Sequence, residues 1–388
     1  MKKELMKAQM TKRMRGFTLV EMMISLAVGL VVLGAASQLF QSGMNASMML
    51  TQRAETQQNV RTAINLISQD VSMAGSGMPN NGVALPNGGG ATPSKFACNQ
   101  IGTCYPLNHQ YPTVVVAGPP AVTYTNHMYG LIPGAANGME FPGPAVVPAT
   151  GQGADSITVI YVDYSFPLND YNITFPDAPV GDKINLTLPV PAPVPAPPAV
   201  DDPAVGIKLG DLILISTNVS GSLSAVGEVT GITPGGGTIT FADADALNIN
   251  QSGAAAGNIS AITSGSVGGT VAYRIYAVTY FLEVPAVAGQ LPRLMRQVNG
   301  QTAQPVADNI IALQFSYDMC DSANMPANVP ACANIKDPIA AGFTPGQVHK
   351  VNISVMGQSP FSYGNHSQSF ELTTSVSTRN LTFKDRYL

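Results

Sequence analysis

"RGFTLVEMMISL", residues 15–26, sets a carboxylate, Glu21, at the start of an apolar run long enough to cross a bilayer. From Phe17 to Ala36 about twenty residues carry one charge, and at 1.5 Å per residue they measure roughly 30 Å, the hydrocarbon thickness. Ahead of this run, Lys2, Lys3, Lys7, Lys12, Arg13 and Arg15 against Glu4 give residues 1–16 a charge of +5, so the chain total of −4 leaves −9 for the rest. The positive-inside rule keeps that basic end in the cytoplasm, which predicts one crossing with everything after Ala36 outside. An acidic body with scattered cations gives no electrostatic reason to propose nucleic acid as a partner.

The helical pattern does not stop at the far side of the span. Phe40, Met44, Met48, Val60, Ile64, Ile67 and Val71 continue at mostly three- and four-residue steps, with Ala54 and Ala63 among them. The spacing therefore predicts one helix from residue 17 to about 74, ended by the Gly- and Pro-bearing stretch "GSGMPNNG" from Gly75. Proline agrees, because all 30 lie after residue 78. A cleavable secretory signal is the competing reading, with small residues in "LGAASQ" at 33–38, but the apolar stretch is longer than such a core and the periodicity runs on past it.

A carboxylate within hydrocarbon costs about 2.5 to 3.5 kcal/mol on insertion scales and calls for a cation. Two partners are open to Glu21. Cleavage between Gly16 and Phe17 would create an α-ammonium one helical turn away, on this subunit and on every neighbour cut the same way. Without cleavage, Glu21 would sit near the interface and reach toward Arg15.

Read together, the basic leader, Gly16, Phe17, Thr18, Leu19, Val20, Glu21 and an unbroken apolar helix closely resemble the class III signal of type IV prepilins. The resemblance implies cleavage after Gly16 by a prepilin peptidase, N-methylation of Phe17, and Glu21 as the fifth mature residue, pairing with a neighbour's N-terminus during assembly. The sixteen-residue leader is long for that family.

Past residue 110 the periodicity changes to two. Ile311, Leu313, Phe315 and Tyr317 share one strand face, as do Phe370, Leu372, Thr374 and Val376. Further strands are predicted at 156–163, 211–216, 227–232, 238–242, 271–284 and 349–357. The fold class is α+β, type IV pilin-like: a leader (1–16), the transmembrane assembly half of a long helix (17–36), its amphipathic half (37–75) and an antiparallel β-rich head (76–388). "LPVPAPVPAPPAVDDP", residues 188–203, reads either as a stiff polyproline spacer or as an ordered loop on the head.

Over residues 205–381 the order of blocks resembles the PilW family of minor pilins: the "GD" strand at Gly210–Ile215, "GEVTGIT", a Tyr-rich strand, "LPRLMR", "ADNIIALQFSYD" and a last strand ending near "STRN". That resemblance implies a low-abundance subunit in a priming or tip complex with major and other minor pilins, beside a tip adhesin. The rival assignments are a minor pseudopilin of a type II secretion system and a membrane-anchored binding or hydrolytic domain that never polymerises.

Cys98 and Cys104 are close in sequence, as are Cys320 and Cys332. Outside the cytoplasm oxidation is expected, and those two pairings close the shortest loops. Neither spacing suits zinc. Asp170, Asp177 and Asp182, or Asp201 and Asp202 with Asp243 and Asp245, are candidate calcium carboxylates without EF-hand spacing. Arg274 and Glu283 share the Tyr-rich strand and are candidates for a ligand site, with an edge salt bridge or plain exposure as the default expectation. Nucleotide, zinc-protease and nucleophile-elbow motifs are absent, so neither an enzyme nor a cofactor is predicted.

Overall fold

The computed structural model describes residues 16–79, 82–86, 127–134, 139–140, 154–177, 180–217, 223–235, 237–252, 257–263, 269–285, 287, 289–321, 331–338, 343, 345–363 and 366–381. Two compact units divide the chain, Met1–Glu55 and Thr56–Leu388. A single helix, Leu19–Met73, contributes to both, close to the limits the periodicity predicts.

In the first unit this helix is apolar on every side over residues 22–36, beyond the single charge of Glu21. Leu19, Val20, Met22, Met23, Ile24, Leu26, Val28 and Leu30 to Leu33 are exposed, and none of its most apolar stretch is buried. A helix apolar on every side suits a lipid or helix-bundle environment rather than water. Length and composition allow it to cross a membrane.

In the second unit the same helix turns one stripe inward: Thr56, Val60, Ala63, Ile64, Ile67, Asp70 and Val71 are buried. Burying the four large aliphatic side chains contributes about 1.5 to 3 kcal/mol each, as an upper estimate. They enter a core shared by two sheets, meeting Ile157, Val278 and Tyr280 of one and Leu313, Phe315 and Ile353 of the other.

The larger sheet is built on strand Thr270–Glu283, which is paired along both edges. Residues 274–280 lie antiparallel to Ser156–Asp163 and residues 270–275 antiparallel to Leu212–Thr217. Residues 278–283 pair antiparallel with Arg293–Val298, and the short strand Met139–Glu140 adds a parallel pair at its end. The second sheet has the spatial order Ala331–Ile335, Ile310–Asp321, Val348–Tyr363, His366–Ser377, all antiparallel.

One strand face differs from the sequence expectation. A register shift between Ile310 and Ala312 leaves Ile310 fully buried and Ile311 only half-buried, while Leu313, Phe315 and Tyr317 point inward as the alternation predicts. A bulge adds a residue to one strand and moves the side chains on its near side to the other face.

Two glycines let the helix end close on the sheet. Gly75 has φ +76° and donates its N–H to the Ile160 carbonyl at 2.8 Å, and a Cβ on Gly130 would lie 2.3 Å from the Gly75 Cα. Only residues without a side chain permit that approach. At the far end of the Pro-rich segment, Tyr171 Oη donates to the Pro198 carbonyl at 2.6 Å and Val200 is buried, so this part of 188–203 lies against the head.

Candidate functional site

The helix begins one residue after Thr18, and that residue explains the local structure of the motif. Thr18 accepts from the Glu21 N–H at 3.2 Å through Oγ1, and its own N–H and hydroxyl donate to Glu21 Oε2, each at 3.0 Å. This is a capping box: the side chains at the helix cap and three residues on satisfy each other's otherwise orphaned backbone donors. Gly16 and Phe17 precede the helix and are exposed, Phe17 at 83%. Glu21 therefore has a local structural task as well as a charge. The pattern Thr-x-x-Glu at 18–21 was the sequence signal for the cap.

In the head one heavily bonded buried carboxylate is a residue the periodicity did not single out. Asp70 is 8% exposed, on the buried stripe of the helix. It accepts from Tyr161 Oη at 3.0 Å, from Tyr280 Oη at 2.5 Å and from Arg296 Nε at 3.0 Å. Burial, and then the charge of Asp70, push both tyrosine hydroxyls above their ordinary range, so they remain donors. The helix is thus tied to three strands of the large sheet by one carboxylate. Its position three residues after Ile67 and seven after Ala63 on an apolar stripe was the available sequence signal.

Arg274 departs from the expectation of an exposed or edge position. It is 6% exposed on the doubly paired strand, directly opposite Asp163 in the ladder. Its guanidinium donates to Asp163 Oδ2 at 2.7 Å from Nε, to Ser165 Oγ at 3.1 Å and to the Gly206 carbonyl at 2.9 Å, with Asp211 at 3.8 Å. Glu283 pairs instead with its cross-strand neighbour Arg293. Same-strand residues nine apart are too distant to meet, whereas opposed residues on paired strands are neighbours.

Six of the seven carboxylates considered for calcium lie beside a cation or accept a backbone hydrogen bond. Asp177 and Asp182 both face Lys183, at 3.8 and 3.4 Å. Asp201 accepts from the Gly235 N–H, Asp202 from Ala204 and Val205, Asp243 from Ser252, and Asp245 from Ile249 and Asn250. Among the described residues no three His, Cys, Asp or Glu side chains gather as an ion site. Glu228, 4% exposed, accepts from the Leu247 N–H at 2.9 Å; burial first, and then its hydrogen bond to Asp245 and that group's charge, raise it well above the carboxylate range.

Cys320 and Cys332 stand directly opposite each other in the ladder of the second sheet, and Cys332 is disulfide-bonded. Cys98 and Cys104 lie outside the described residues.

A family model described as the prokaryotic N-terminal methylation motif matches residues 11–37. No curated protein and no solved structure matches the chain. The motif and the uncovered apolar helix that follows it indicate a type IV pilin- or pseudopilin-like protein, bearing a prepilin-type signal and anchored in a membrane before assembly. Such a signal implies processing by a prepilin peptidase and assembly with other pilins.

Proposed function

We propose that this chain is a minor pilin of the PilW type. It sits in the inner membrane with its N-terminus in the cytoplasm, is cut after Gly16 and methylated at Phe17, and then joins major and other minor pilins in the priming or tip complex of a type IV pilus, next to a tip adhesin. The observation that supports the processing and assembly part of this reading is the helix start. Thr18 and Glu21 close a cap that the cut would leave intact, and Glu21 Oε1 takes no hydrogen bond among the described residues. That oxygen is available for a neighbouring α-ammonium. In a lipid-like medium such an ion pair is strong enough to set the stagger of adjacent helices, because an uncompensated carboxylate there is costly.

The block order over residues 205–381 supports a pilus subunit over a secretion pseudopilin. We further propose that Cys320 pairs with Cys332, as their ladder register favours, and Cys98 with Cys104. Deleting the gene and scoring both surface pili and type II secretion tests the assignment. Loss of pili with normal secretion supports it, and the reverse outcome replaces it with the pseudopilin.

A further inference from the structure

Away from the helix start, the head carries a solvent-open pocket of about 420 Å³, within the range of small-molecule sites. Its position is set by the two buried polar clusters. Tyr161 and Tyr276 form an edge-to-face pair with ring centroids 6.0 Å apart, and both line the cavity. Tyr161 is held through its hydroxyl by Asp70 and Tyr276 has Arg274 over its ring at 5.5 Å, so these walls are fixed before any ligand arrives. Preorganised walls of this kind favour binding because little further ordering is needed.

The hydrogen-bonding groups at the cavity are of both kinds. Arg296 spends Nε and Nη2 on Asp70, which leaves both N–H groups of Nη1 uncommitted among the described residues. Lys208 is exposed and forms no ion pair among the described residues, and the Gln301 side-chain amide is likewise unpaired among them. On the accepting side, Asp211 is 4% exposed and takes the Lys208 backbone N–H at 2.9 Å. The charges balance, since Arg274, Arg296 and Lys208 are matched by Asp163, Asp70 and Asp211. A simple anion would meet Asp211 and a simple cation would meet Lys208. A saturated ring with an apolar C–H face and several hydroxyls that both donate and accept would satisfy all of them at once.

We propose that this cavity is a binding site for a neutral saccharide ring, seated against Tyr161 and Tyr276, with its hydroxyls shared among Arg296 Nη1, Lys208, Gln301 and Asp211.

The test is saturation-transfer NMR on the full mature chain in detergent micelles, with glucose, galactose, N-acetylglucosamine and their disaccharides as probes. At least one should receive saturation at its ring protons, with dissociation in the millimolar range or tighter. Lys208→Ala and Gln301→Ala lie outside the Asp70 and Arg274 clusters, so both should keep the parent thermal midpoint while weakening that sugar about tenfold, or roughly 1.4 kcal/mol. The proposal is overturned if no probe binds at about 10 mM, if both variants bind as tightly as the parent, or if inorganic phosphate or a free amino acid occupies the cavity in preference to every sugar.

Discussion

Replacing Asp70 by alanine should detach the helix from the large sheet more than any other single polar change in the head. Three donors lose their acceptor at once: the Tyr280 hydroxyl on a fully buried ring, the Tyr161 hydroxyl, and Arg296. A buried donor left unmatched costs about 1 to 3 kcal/mol, and stripping one partner from a buried ion pair about 3 to 5. The Arg296 side chain is 29% exposed, so water recovers part of its loss. The sum we expect is about 3 kcal/mol, close to a hundredfold in the folded-to-unfolded ratio. At about 2.1 cal/mol/K of unfolding entropy per residue, the head should then melt about 4 °C lower, read by circular dichroism. The same substitution in an Arg296→Met background should cost visibly less, because the charge it strands is gone. A change under about 0.5 kcal/mol, the size of an ordinary surface substitution, would refute the view that Asp70 pins the helix.

Other outcomes follow from the same geometry. Glu21→Gln keeps a side chain able to complete the cap but removes the charge, so membrane insertion and cleavage should persist while recovery with other pilins in crosslinked complexes falls severalfold; normal recovery would reduce Glu21 to a cap. Gly16→Val should leave the leader attached, visible as a precursor on immunoblots of membranes, and a shortened product would remove the cleavage assignment. Glu228 holds its proton to a higher pH when folded than when unfolded. The folded state therefore binds more protons above the usual carboxylate range, and stability falls as pH rises through that window. Glu228→Gln should flatten this slope in pH-dependent denaturant titrations, and an unchanged slope would count against the buried carboxyl as its source.

Much of the architecture could be read from periodicity alone. The helix limits and the inward stripe of Val60, Ile64, Ile67 and Val71 follow from spacing, because burial of one face imposes it, whereas the strands expected at 156–163 and 271–284, buried on both faces for most of their length, were legible as runs of β-branched and aromatic residues. Thr18 and Glu21 were legible as residues, though their mutual hydrogen bonds needed the Thr-x-x-Glu pattern to be read as a cap. Asp70 and Arg274 were not legible in their roles. Each acquires its partners from residues more than sixty positions distant, and such pairings depend on strand register, which short-range pattern does not encode. Ile311 was misplaced for a related reason, since a single bulge reverses the alternation without altering composition.

Intact mass and N-terminal sequencing of the chain recovered from membranes and from sheared surface fibres address the central claim directly. A mature protein that starts at N-methylated Phe17, present in both fractions, is the predicted result. A chain that still begins at Met1, or one that starts near Ser37 and is found free of the membrane, would contradict it.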